Sequence, residues 1–144
     1  MSVTVQVTFD AADPPALAAF WGETLGYKEE DPPEGFDSWE AWAAANDLPR
    51  EEWGSYASRI DPEGVGPRLF FQRVPEPKTA KNRVHLDLAV SGGRGTPPEE
   101  RRRNVAAAVA RAVTAGATKL REVDEADEHG VVLQDLEGNE FCMH

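Results

Sequence analysis

Cysteine is almost missing from this chain of 144 residues: the single Cys142 excludes an intrachain disulfide and any structural zinc site built from paired CxxC motifs. No apolar run approaches the roughly 20 residues that a membrane-spanning helix requires, so no membrane role is expected. The opening MSVTVQVTFD has neither the basic stretch nor the apolar stretch of a secretory leader, and the expectation is a cytoplasmic protein. Positive charge is scarce, with 15 Lys and Arg against 26 Asp and Glu and a formal charge of -11. Such a surface repels phosphate backbones, and the one basic run, Arg101 to Arg103, reads as the solvated face of a helix, so nucleic acid is not an expected partner. Histidine is limited to His85, His129 and His144, which leaves a two-histidine, one-carboxylate iron triad poorly supplied. What is present, 40% apolar residues over this length, is enough for a single soluble domain with its own core.

The chain contains a faint internal repeat. Val3, Val5, Val7 and Phe9 alternate with Thr4, Gln6, Thr8 and Asp10, and Val84, Leu86, Leu88 and Val90 alternate with His85, Asp87 and Ala89, the period of half-buried strands. Each strand leads into a helix. The first has Asp13 as N-cap, Pro14 in its first turn, a stripe of Leu17, Phe20, Trp21 and Leu25, and Gly26 as its stop. The second has a Thr96–Glu99 capping box, Pro97 at its first position, a stripe of Val105, Ala108, Val109, Ala112 and Val113, and Gly116 beyond its end. Short strands follow each helix, then a related turn, DPEG at Asp61 and DLEG at Asp135, and a last strand, RLFFQRV or EFCMH.

These elements predict an α+β protein of two paired βαβββ modules, residues 1–76 and 83–144 with a connector at 75–82, within one domain of 1–144. The first module carries an extra segment, residues 36–54, rich in tryptophan (Trp39, Trp42 and Trp53). Asp37 and Glu40 suit a capping box for a short helix there, and the segment reads as a helical hairpin or as the wall of a pocket. Strand parity places Gln6, Thr8, Phe70, Gln72, His85, Asp87, Glu140 and Cys142 on the faces opposite the helices.

VQVTFDAADPPALAAFWGETLGY, DPEGVGPRLFFQRVPEPKTAKNRVHLDLAV and DLEGNEFCMH, in this order, resemble the vicinal oxygen chelate superfamily, the glyoxalase, bleomycin-resistance and extradiol dioxygenase group, in a glyoxalase-like branch. The resemblance implies that the strands form a curled mixed sheet, a half-barrel cup with helices outside, holding a small molecule. It also implies a homodimer and a divalent metal (zinc, nickel, manganese or iron) bound by one residue from each of four strands. Those positions fall on Gln6, Gln72, His85 and Cys142, the second and fourth of which are usually glutamate. Glyoxalase I isomerisation needs a carboxylate base beside the metal, which neither Gln72 nor Cys142 supplies. Glu140, on the same strand face as Cys142 and about 6–7 Å along it, is the catalytic candidate. Three functions follow: a metal-dependent lyase or isomerase acting on vicinal oxygens with Gln6, Gln72 and His85 as ligands, a metal-free protein sequestering an antibiotic-like or aromatic ligand, or a non-catalytic interaction domain whose acidic surface meets a basic partner. Thr8, Trp21, Phe70, Asp87 and Cys142 would line the pocket in the first two cases.

Overall fold

The N-terminal alternation becomes a strand only at Gln6: β1 spans Gln6–Ala11, with Val7 and Phe9 half-buried, Ala11 buried and Gln6, Thr8 and Asp10 exposed. The computed structural model describes residues 1–126 and 128–144. Val3 and Val5, expected in the strand, lie outside it and are 87% and 63% exposed. The cause is the partner. β1 runs parallel to β3 (Arg68–Arg73) from the pair Gln6 and Arg68 onward, and the residue before Arg68 is Pro67, which has no N–H to extend the ladder. β2 (Tyr56–Arg59) completes the first sheet, antiparallel to β3, in the order β1-β3-β2.

Helix α1 (Pro14–Leu25) begins and ends as its sequence predicts. Asp13 Oδ1 accepts from the Ala16 N–H at 3.2 Å, Leu17, Phe20 and Trp21 are buried, and Gly26 closes the helix at φ 72°. A Cβ at Gly26 would meet nothing within 4 Å, so the backbone angle alone demands glycine. Gly26→Ala is therefore expected to cost about 1–2 kcal/mol, read as a lower midpoint in urea; an unchanged midpoint would contradict this account of the cap.

The chain divides into compact units Met1–Pro77 and Lys78–His144. In the first, the strand expected after α1 is reduced to an antiparallel bridge between Lys28 and Ile60. The tryptophan segment forms helix α2 (Trp39–Ala45) and a 3-10 turn at Arg50–Ser55, a helical hairpin. Ser38 rather than Asp37 caps α2, its Oγ accepting from the Ala41 N–H at 3.0 Å.

The second unit holds the complete pattern: β4 (Leu86–Leu88), α3 (Pro98–Ala115), β5 (Thr118–Glu125), β6 (Glu128–Gln134) and β7 (Glu140–Met143). Its sheet order is β4-β7-β6-β5, with β4 parallel to β7 and the other neighbours antiparallel. Val84 lies outside β4 and is 81% exposed. The Thr96–Glu99 capping box does not form, because Pro98 drives the preceding residue to extended backbone (Pro97, ψ 143°) and the helix starts one residue later than expected, without a side-chain cap. Leu133 and Phe141 are fully buried beneath α3's stripe of Val105, Ala108, Val109 and Ala112, whereas Val113 is exposed.

The two turns share one device. Asp61 accepts backbone N–H bonds from Glu63, Val65 and Gly66, and Asp135 accepts them from Glu137 and Asn139. The result is an α+β fold with two mixed sheets, each with a parallel pair between its first and last strands.

Candidate functional site

A cavity of about 540 Å³ lies in the first unit, between the face of β2 and β3 opposite α1 and the tryptophan hairpin. The hairpin supplies Trp39, Trp42 and Trp53; β2 and β3 supply Tyr56, Ser58, Arg68 and Phe70. Tyr56 and Phe70 stack at 5.8 Å, while Trp39 and Trp42 meet edge to face at 5.7 Å. Trp39 donates its indole N–H to the Glu30 carbonyl at 2.7 Å, and Trp53 donates to the Leu48 carbonyl at 2.9 Å. Their polar edges are thus satisfied by the protein, and the Arg50 guanidinium lies 5.1 Å over the Trp53 ring.

One charged cluster borders this cavity. Arg68 donates to Glu30 Oε2 from Nε at 3.0 Å and from Nη2 at 2.6 Å, Ser58 Oγ donates to the same oxygen at 3.0 Å, and the Arg68 guanidinium lies 5.3 Å over the Phe70 ring. The Arg68 hydrogen bonds hold the Glu30 carboxyl below its ordinary value of 4.5, against the opposing pull of burial and with help from Ser58. A lowered folded-state value stabilises the protein above the unfolded value and is lost as pH falls through the folded one. Stability is therefore expected to decline in acid below about pH 4.5, and Arg68→Met should flatten part of that decline. Urea unfolding of both proteins across the acid range checks this; parallel profiles would remove the pair as a cause.

The second unit brings together His85, Asp87 and Cys142, whose candidate ligand atoms all lie within 4.8 Å of one another. The register explains it: Asp87 on β4 sits directly opposite Cys142 on β7, and His85 Nδ1 is 2.9 Å from Asp87 Oδ1. Burial, then the Asp87 charge and its hydrogen bond, push the Cys142 thiol above its usual value, so it keeps its proton at neutral pH. Glu140, the catalytic candidate, is ion-paired to Lys81, and its backbone is clamped by Asn82.

The same register treats the first unit's candidates differently. Thr8, two residues past Gln6, lies opposite Phe70; Asp87, two residues past His85, lies opposite Cys142. The counterpart of Cys142 in the first module is therefore Phe70, and Gln72 stands one inward step further along, opposite Asp10, to whose Oδ1 it donates at 2.8 Å. Gln6 accepts from Arg68 Nη1 at 3.0 Å and lies near Thr8. Gln6 and Gln72 are thus four ladder positions apart, and a guanidinium already occupies the Gln6 oxygen. Trp21, expected in the pocket, is 1% exposed in the core against Phe9 and Phe20, because it shares the buried stripe of α1 with Leu17. Of the first unit's expected pocket residues, Phe70 borders the cavity together with Trp39, Trp42 and Trp53 of the insertion, whereas Thr8 and Trp21 do not line it. Arg68 was open to sequence reasoning, since it shares strand parity with Phe70; Glu30 was not, because it lies between elements with no periodic signal.

Two modules of related strand order, one with an aromatic-walled cavity and the other grouping His85, Asp87 and Cys142, define a paired-module α+β protein. Residues 6–144 match the family model described as a glyoxalase-like domain, and the chain belongs to that family. No curated protein matches it. A glyoxalase/bleomycin resistance protein/dioxygenase family enzyme from Burkholderia phytofirmans PsJN superposes with a TM-score of 0.58 at 16% identity, over 97% of this chain and 94% of that one. A variant of the fosfomycin resistance protein FosX from Listeria monocytogenes, solved with Mn(II) and 1S,2S-dihydroxypropylphosphonic acid, gives 0.61 at 12% identity, over 100% and 90%. TioX from Micromonospora sp. ML1 gives 0.54 at 15%, over 99% and 97%. At these identities the likeness establishes the fold.

Proposed function

We propose that this glyoxalase-like protein binds a small, largely aromatic molecule in the cavity of its first module and acts by sequestering it. The observation that carries the reading is the wall: a tryptophan hairpin whose Trp39 and Trp53 indole N–H groups are bonded within the protein, facing a Tyr56–Phe70 stack across a cavity of about 540 Å³. That volume lies within the range of small-molecule sites, about 300–1,000 Å³. A thermal-shift screen of planar aromatic compounds, run with and without chelator, tests it. Stabilising hits that persist in chelator are expected; at a hundred times the dissociation constant the gain is about 2.7 kcal/mol. A screen in which no aromatic compound stabilises the protein would end the reading.

A second reading, a divalent-metal-dependent lyase or isomerase, is favoured by the His85, Asp87 and Cys142 group. Imidazole, carboxylate and thiol fit a zinc, nickel, manganese or iron ion, which would polarise vicinal oxygens of a substrate. In the first module, Gln6 engaged by Arg68 and Phe70 at the counterpart of Cys142 fit it poorly. Titration of chelator-stripped protein with Zn(II) or Mn(II) is expected to show one site on this reading, weakened at least tenfold by His85→Ala or Cys142→Ser. Equal affinity in the variants would place the ion elsewhere. The FosX complex with Mn(II) supports testing manganese first. The family resemblance also supports a homodimer in the cytoplasm, the first part of which sedimentation checks directly.

A further inference from the structure

The strand that borders the first-module cavity offers a guest more than aromatic rings. Resting on the reading of that cavity as a ligand site, we infer that it takes a short linear peptide with an aromatic side chain, whose main chain pairs with the free edge of β2.

A pocket over one face of a strand touches alternate residues, whereas this cavity is lined by Tyr56, Ala57, Ser58 and Arg59 in succession and so follows the strand's edge. Bonds on either side fix which main-chain groups face it. Ile60 exchanges both of its main-chain bonds with Lys28, at 3.0 and 2.9 Å, so it turns away from β3, and Ser58, two residues earlier, turns the same way. The Val74 N–H bonds the Ala11 carbonyl at 3.0 Å, so Gln72 and Phe70 likewise direct their main-chain groups to β1 and leave none for Ser58, which stands opposite Phe70. The Ser58 N–H thus has no partner among the described residues, although Ser58 is only 9% exposed. Buried main-chain donors are nearly always paired. The Ser58 carbonyl is met at 2.7 Å by the guanidinium of the adjoining Arg59, in place of a neighbouring strand's N–H.

The open edge is the position of a strand that the second unit has. There β5 lies beside β6, as the chain after α1 would lie beside β2. It begins to do so at Lys28, but Glu30, next in line opposite Ser58, gives its carbonyl to the Trp39 indole at 2.7 Å, and Pro32 and Pro33 have no N–H to continue a ladder. The four residues of β2 span about 13 Å, room for an extended guest of about three residues, with one side chain among the Tyr56–Phe70 stack and the tryptophans. Main-chain pairing along the edge supplies affinity, and the ring-lined cavity selects the side chain.

Isothermal titration calorimetry of the full chain with acetyl-Val-Phe-Val-amide tests this. Alternate N–H groups of an extended peptide face opposite sides, so methylating the Phe nitrogen or the first Val nitrogen removes a donor from opposite edges. One methylated peptide is expected to bind about tenfold more weakly than the parent, and the other within about threefold of it. Ser58→Pro, which removes the N–H at an edge position that tolerates proline, should weaken the parent peptide about tenfold, and Ser58→Ala, which keeps the N–H, should not. Equal binding of the two methylated peptides, whether strong or weak, would overturn edge pairing and leave the aromatic cavity in place. So would a folded Ser58→Pro protein that binds the peptide as the natural chain does, or binding of planar aromatic compounds without binding of the peptide. No binding by either class would end the cavity reading and this inference with it.

Discussion

Trp21→Ala is expected to destabilise the protein by about 3–5 kcal/mol, a large part of the about 5–15 kcal/mol that holds a domain of this size folded. Trp21 is 1% exposed, tilts against Phe9 at 5.3 Å and meets Phe20 edge to face at 5.5 Å. Phe9 in turn stacks on Phe71 at 5.0 Å, so the indole joins α1 to both β1 and β3. Its removal leaves a void that close-packed neighbours fill only in part, and the cost adds lost transfer energy to lost contacts. The consequence reaches the site, because alternate residues of β3 face opposite ways: Leu69 and Phe71 anchor the strand in this core while Arg68 and Phe70 present themselves to the cavity. Urea unfolding measures the effect. A loss below 1 kcal/mol would show that the ring is not the pin between helix and sheet.

Trp42→Ala should do the reverse, sparing the fold and removing most of the binding. Trp42 is half-buried on α2, and its indole N–H has no acceptor among the described residues, so its removal breaks no hydrogen bond inside the protein. A tryptophan offers about 150–250 Å² of surface, and covering roughly 80 Å² of it with a ligand is worth about 2 kcal/mol. Affinity for the strongest aromatic hit of the thermal-shift screen is accordingly expected to fall about 30-fold, with a change in unfolding free energy under about 1 kcal/mol. Titration and urea unfolding on one preparation check both halves. Unchanged affinity for that compound would mean that the tryptophan hairpin merely packs against its own module.

The contrast between these tryptophans marks where local pattern stops being informative. Trp21 occupies the buried stripe of a helix whose cap, first turn and stop all follow from local chemistry, and Asp13, Pro14 and Gly26 act as their residue types predict. Strand parity was equally legible: Phe141 and Met143 are buried while Glu140 and Cys142 face the other way. Pairing level was not. A shift of two residues leaves every side chain on its face, so Gln72 and Phe70 are equivalent by parity, and the extra residues between the DPEG turn and β3 displace the count by one such step. Strand ends also escaped, because Pro67 on the partner strand ends the ladder that the alternation of Val3 and Val5 would continue.

Alternation, capping chemistry and glycine stops, all of them interactions between near neighbours in the chain, determined the α+β class, the repeated module and the inward set of each strand. Tertiary structure decided that His85, Asp87 and Cys142 gather at one point, that Arg68 occupies Gln6 and matches Glu30, and that the tryptophan hairpin encloses a cavity. Those pairings join residues distant in sequence, and the energy that selects them resides in packing and strand register, which no short stretch of sequence contains.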